Sequence, residues 1–205
     1  NKMNIQGVPN YPSENLIQKL LSDNNVFNTK SIGFTKSGIK FLKNDTSYEI
    51  INNYESKRNF PSSNGTSKAG VQLRFGTIST RKLIKKAYKS NNNTYLKELI
   101  WREFFQQILY HFPRTVIESF KPKYERIEWL NNENDFNKWC NGQTGYPLVD
   151  AGMRELNKTG FMHNRVRMVV GSFLCKHLLI DWRWGEAYFR EKLFDYETAS
   201  NVGNW

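Results

Sequence analysis

Cysteine is almost missing from this sequence: two in 205 residues, Cys140 and Cys175, far apart in the chain. That excludes a disulfide framework and fits reduced thiols in a cytoplasmic protein. HExxH, GxGxxG and P-loop patterns are absent, as is any Cys/His cluster with metal-ligand spacing. No metal is expected. If the chain is an enzyme, the hard chemistry falls to an organic cofactor. Long hydrophobic runs are missing too, none reaching the roughly 18 residues of a membrane span, so no membrane partner is expected. Alternation of apolar and polar residues is too sparse for a sheet. The opening NKMNIQG carries no secretory signal. It also lacks an initial methionine, so the chain reads as starting inside a longer protein.

Acidic residues are scarce. There are 19 Asp and Glu against 30 Lys and Arg, a formal net charge of +11. Such an excess favours polyanions, nucleic acid first and an anionic membrane surface second, although a lysine-rich composition style produces the same number. Aromatic residues are abundant at 15%. They suit either a large aromatic core or flat surfaces for stacking on rings.

What is present reads as helix upon helix. Residues 1–38 suggest a linker with one short amphipathic helix, ENLIQKLLSD. Residues 39–205 suggest a helical domain. Apolar residues recur at helical spacing from Ile39 to Tyr54, and NFPSSNGTS then breaks the pattern. Ser79 or Thr80 can cap STRKLIKKAYKS, and Thr94 can cap TYLKELIWREFFQQILYHF, which must end before Pro113. Pro147 suits the first position of PLVDAGMRELN, and Gly160 its end. MHNRVRM opens the next helix, and EAYFREKLF forms another. The fold class is all-α.

Three clusters can carry chemistry. Gly65-Thr66-Ser67-Lys68, entering a helix, offers backbone N–H groups and hydroxyls to a phosphate, with Lys68 and Arg58 adding charge; an ordinary helix cap has the same signature. Glu98, Trp101 and Arg102 share a helix face that can hydrogen-bond and stack on a planar ring, or pack as core beside an ion pair. Asn164, Arg167, Met168 and Gly171 share another face. A guanidinium there needs a partner, and Asp195 is the candidate. That pair serves a structural role equally well.

Together, GTS…LRFGTIS, ELIWREFF, the run from GQTGYPLVD to DWRWGE and the final DYETASNVGNW resemble the FAD-binding domain of the photolyase/cryptochrome family. The likeness runs from about Tyr54 to Trp205. MHNRVRM makes it most similar to the class I cyclobutane pyrimidine dimer photolyases. The (6-4) enzymes carry a histidine pair there, and DASH types carry Gln in place of Met168. Plant cryptochromes usually have Asp at Asn164 and an aliphatic residue at Met168.

The resemblance implies light-dependent repair of pyrimidine dimers in DNA, a carbon–carbon lyase reaction driven by an electron from photoexcited FADH⁻ to a flipped-out dimer. It also implies residue roles. Tyr54, Arg58, Thr66, Ser67, Lys68, Arg102, Arg165, Arg167, Asp195, Glu197 and Asn201 hold the cofactor, Asn201 at flavin N5. Glu98 and Trp101 meet the dimer, and Asn164 and Met168 lie at the adenine and dimer. Trp205, Trp182 and Trp129 carry electrons from the surface. The implied partner is damaged DNA, met by a monomer in the bacterial cytoplasm, at the nucleoid. The alternative is a cryptochrome-type photoreceptor without repair. Lys68 is followed by Ala69-Gly70 where the family has Leu-Ser, so one phosphate-binding hydroxyl is lost. Glu197 stands where Asp is usual, and Val202 replaces a common Asn. The family's N-terminal α/β antenna domain and its helices beyond the final NW are not in this sequence. An antenna chromophore is expected only in a full-length protein.

Overall fold

The computed structural model describes residues 29–39 and 42–205. The chain divides into two units, residues 1–39 and 40–205. In the first, a 3-10 turn spans Thr29–Ile32. The helix expected in ENLIQKLLSD lies outside the described residues.

The second unit is helical, with no strand among the described residues. Its first helix, α1 (Tyr48–Lys57), starts later than the apolar spacing from Ile39 suggests. Side-chain and tertiary bonds explain the delay. Asp45 Oδ1 accepts from the Ser47 N–H at 2.8 Å, Ser47 Oγ caps the Ile50 N–H, and the Asp45 N–H donates to the Ser67 carbonyl at 2.8 Å. The chain before Tyr48 is thereby tied to the GTSK loop and does not continue a helix.

A short α2 (Gly70–Arg74) follows that loop, then α3 (Thr80–Tyr88), capped by Ser79 on the Lys82 N–H. The long α4 (Thr94–His111) ends before Pro113. Thr94 is its first helical residue, not its cap. The cap position is Asn93, one residue earlier than expected, and Asn92 Oδ1 accepts from the Thr94 N–H at 2.7 Å. Ile51, Leu83, Ala87, Tyr95 and Leu99 close a small core between α1, α3 and the start of α4.

After two 3-10 turns, Pro113–Val116 and Pro122–Arg126, come α5 (Glu133–Cys140), α6 (Pro147–Thr159), α7 (Asn164–Lys176), α8 (Trp182–Lys192) and α9 (Thr198–Asn204). The main core lies among α5 to α8 and includes fully buried Trp139, Met153, Leu156, Met162, Val170, Leu174 and Ile180. α9 joins the two cores, packing on both α4 and α8. Arg183 holds the excursion between α4 and α5. Its guanidinium donates to Glu125, Asp181 and the Ile117 carbonyl. No helix among the described residues is long and apolar enough to cross a membrane.

Pro147 opens α6, and Gly160 closes it in the left-handed region at φ +66°, as expected from sequence. A Cβ on Gly160 would meet the Phe194 ring at 2.6 Å. Gly160→Ala is expected to cost at least roughly 1–2 kcal/mol, the penalty of a left-handed non-glycine residue. A urea melt checks it, and an unchanged midpoint refutes the reading.

Candidate functional site

The GTSK loop turns back against α1 and α4. Ser67 is buried, and its hydroxyl accepts from the Tyr95 hydroxyl at 2.8 Å. With its lone pair engaged, Ser67 has its own O–H left to donate. Burial raises the Tyr95 pKa, so the phenol stays a donor. Burial, with Glu98 nearby, pushes the Tyr54 pKa up to about 12. Tyr54 meets Tyr95 edge-on at 5.1 Å. The expected helix-dipole contribution is small, because α2 is only five residues long.

Tyr54, Thr66, Ser67, Gly70, Tyr95, Glu98 and Arg102 line a cavity of about 170 Å³. That is below the ~300–1,000 Å³ of ordinary small-molecule sites, so the cavity takes part of a ligand. Two hydroxyls and a guanidinium at its wall suit a phosphate. Arg58, at the end of α1, forms an ion pair with Glu98 beside it. The hydroxyl lost at Gly70 has a packing reason: a Cβ there would meet an Asp195 carboxylate oxygen at 2.7 Å. The loop and Asp195 therefore approach each other more closely than any side chain at position 70 allows.

Asp195 is held in turn by Arg167, whose Nη2 donates to both carboxylate oxygens at 3.0 and 2.9 Å. Arg167 Nε also donates to the Met162 carbonyl at 2.7 Å. Arg165 is tied to Asn59 at 2.8 Å and approaches the Met168 sulfur at 3.5 Å. Asn164 and Met168 face outward, Met168 being 56% exposed. Trp101 is 54% exposed on α4, with Phe104 and Phe105 packed around it. Glu197 caps α9, accepting from the N–H groups of Ala199 and Ser200. Lys68 sits half-buried with φ +49°.

The structure thus gathers Tyr54, Thr66, Ser67, Glu98 and Arg102 at one cavity, with Arg58 paired to Glu98 beside it and Arg167 and Asp195 behind the same loop. Trp129, Trp182 and Trp205 line a second, larger cavity of about 770 Å³, apolar and bounded by α4, α9 and the excursion. The polar chemistry lies in the smaller cavity, despite its size. Sequence reasoning missed Tyr95, Glu186 and His163. Glu186 is buried and pairs with Arg190 one turn away, a spacing visible in EAYFREKLF. His163 caps α7, and its Nε2 is buried without a partner. Burial and the cations Arg167, Arg165 and Lys68 lower its pKa. Both cysteines are free, and burial pushes their thiols up to about 12 for Cys140 and about 11 for Cys175. Neither supplies a thiolate at neutral pH. No metal-ligating cluster is found among the described residues.

Residues 95–205 match the sequence profile of the FAD binding domain of DNA photolyase. The chain belongs to this family. It is 43% identical to a deoxyribodipyrimidine photo-lyase of Neurospora crassa across 77% of this chain and 28% of that protein. Against the crystal structure of a bacterial class III photolyase from Agrobacterium tumefaciens, the TM-score is 0.73 at 42% identity, covering 76% of this chain and 34% of that one. Against a Synechocystis cryptochrome the TM-score is 0.72 at 35% identity, covering 82% and 41%. The chain spans roughly a third of the length of the curated photolyases it matches. Its helical architecture is that of the photolyase FAD-binding domain, and the hydroxyl-and-guanidinium cavity fits the phosphate end of FAD.

The Arg167–Asp195 pair is mostly buried, so removing one partner strands the other. Arg167→Met is expected to lower stability by roughly 3 kcal/mol, read in chemical denaturation. A loss below about 1 kcal/mol, the worth of a surface pair, contradicts this.

Proposed function

We propose that this chain is the cofactor- and dimer-binding part of a light-driven DNA repair enzyme of the class I type, which splits cyclobutane pyrimidine dimers. The observation that carries the reading is Glu98. It borders the phosphate-fitting cavity, is held by Arg58, and lies one helical turn from the exposed Trp101. A bound reduced flavin supplies the light-driven electron.

The chain's own residues do the rest. Thr66, Ser67, Lys68 and Arg102 hold the pyrophosphate, with Tyr54 and Arg58 beside it. Arg167, Asp195, Glu197 and Asn201 flank the isoalloxazine, and Arg165 steadies Met168. Glu98 accepts a hydrogen bond from a pyrimidine N–H, since a carboxylate only accepts. The Trp101 indole packs on the dimer, and Asn164 and Met168 border it. Trp205, Trp182 and Trp129 pass electrons inward from the surface. Flipping the dimer out of the duplex costs less than flipping an intact, well-stacked pair. The +11 charge grips the DNA backbone, so affinity falls with salt. The protein acts as a monomer in a bacterial cytoplasm, through a domain spanning residues 39–205. Similarity to a cryptochrome structure favours a second reading, a flavin photoreceptor that does not repair.

The first test is a visible spectrum after adding FAD and removing the excess, followed by a dimer-splitting assay in blue light. A structured flavin band with splitting supports repair. A band without splitting supports the photoreceptor. Glu98→Ala is expected to cut splitting roughly ten- to hundredfold, the worth of one charged hydrogen bond, while flavin stays bound. Loss of flavin instead removes the dimer-contact role. Trp182→Phe is expected to slow photoreduction of oxidised flavin at least tenfold while sparing repair by chemically reduced protein. Unchanged photoreduction removes the electron-path role.

A further inference from the structure

The net charge is not spread along the chain. Between Glu55 and Glu98 lie ten of the 30 Lys and Arg residues and none of the 19 Asp and Glu residues, so this stretch carries +10 of the formal +11. Half of the ten stand on one short helix: Arg81, Lys82, Lys85 and Lys86 on α3 and Lys89 at its C-cap. No acidic residue occupies the first turn of α3 to offset Arg81 and Lys82. Like charges one turn apart repel, and cations at a helix N-terminus oppose its dipole. These charges work against the helix that carries them.

Lys86 is engaged inside the protein, over the Tyr48 ring at 4.7 Å and beside Asp45. The other four are exposed and, among the described residues, enter no ion pair. Leu83 and Ala87 turn into the small core. Arg81, Lys85 and Lys89, at i, i+4 and i+8, therefore form a row on the opposite side, with Lys82 beside it. At about 1.5 Å per residue the row spans about 12 Å. Duplex DNA carries one charge per ~1.7 Å of axis, so such a row meets several phosphates at once. Asp45 and Glu55 approach α3, and both are engaged: Asp45 accepts from the Ser47 N–H, and Glu55 from Asn92 Nδ2 at 2.7 Å. No residue of α3 lines either cavity, so the row stands apart from the cofactor and dimer site.

We propose that the outer face of α3 is a second DNA-binding surface, which grips duplex backbone away from the flipped dimer through Arg81, Lys82, Lys85 and Lys89. The proposal rests on the reading that this chain acts on DNA. Phosphate contacts position a protein on the duplex and carry no information about the bases. The surface thus adds affinity for any duplex, and discrimination of the dimer stays with Glu98 and Trp101. An anionic membrane is the poorer match. A helix that binds a lipid interface inserts its apolar side, and here that side is committed to the core, with Leu83 3% and Ala87 0% exposed.

The test is the salt dependence of binding to an undamaged, fluorescently labelled duplex, compared between the wild type and a variant combining Arg81→Gln, Lys82→Gln, Lys85→Gln and Lys89→Gln. Loss of four phosphate contacts should make the slope of log affinity against log salt shallower by roughly 3–4. Between 50 and 200 mM salt the wild type should then lose on the order of a hundredfold more affinity than the variant. A slope change below about one contact overturns the proposal. A dimer-containing duplex should weaken by the same factor as the undamaged one; weakening on the dimer duplex alone places the cations in the lesion site and overturns it too. Removing the same charge from four exposed lysines elsewhere, by Lys121→Gln, Lys123→Gln, Lys158→Gln and Lys176→Gln, should barely move the slope. An equal change there makes net charge the cause and overturns the surface. Without DNA, the α3 variant should unfold at the same or a higher urea concentration, because repulsion is relieved; a lower midpoint gives the cations a structural role instead. Binding to phosphatidylserine vesicles that the α3 variant loses, with an unchanged duplex slope, assigns the face to lipid and overturns the proposal. Failure to retain FAD or to split dimers sinks the repair reading and leaves the undamaged-duplex slopes intact.

Discussion

The Arg167 guanidinium is the point on which the site depends. It reaches from α7 to the Met162 carbonyl before that helix and to the Asp195 carboxylate before α9. A guanidinium whose side chain is only 24% exposed needs such partners. Its needs therefore dictate where two loops run. Asp195, so fixed, leaves no room for a side chain at Gly70, and the GTSK loop settles against it. The loop in turn receives the Tyr95 hydroxyl on Ser67 and the Asp45 N–H on the Ser67 carbonyl. One ion pair thus connects α7, the approach to α9, the phosphate-fitting loop and the small core under α4.

The same economy of polar groups explains why the site is cationic and still ordered. Arg58 is spent on Glu98, Arg165 on Asn59 and Met168, and Arg190 on Glu186. Each of these three guanidiniums has a named partner, as low-dielectric surroundings favour. His163 is the informative exception. Burial and three nearby cations hold it neutral, and its Nδ1 accepts from the Arg165 N–H at the start of α7.

Much of the helical frame was legible in the sequence. Pro147, Gly160, Ser79 and Pro113 act through their own backbone or the next turn, so local chemistry suffices to place them. The Arg167–Asp195 pair was legible because an arginine on an apolar face has few ways to exist. The start of α1 was not, because the Asp45 N–H answers to the Ser67 carbonyl, 22 positions away, while only its carboxylate serves the neighbouring Ser47. Nor was the partnership of Tyr95 with Ser67, which brings together residues 28 positions apart.

The sequence by itself determined the all-α class, the helix ends set by local caps and prolines, and the family, since periodicity, caps and long specific motifs are local properties. Tertiary structure alone decided which polar atoms face each other. Ser67 became a poised donor and Gly70 a forced gap. Glu186 became a buried anion that accepts from Arg190 and from the Tyr196 hydroxyl. Hydrogen-bond polarity depends on ångström-scale placement across elements, and spacing along the chain carries no record of it.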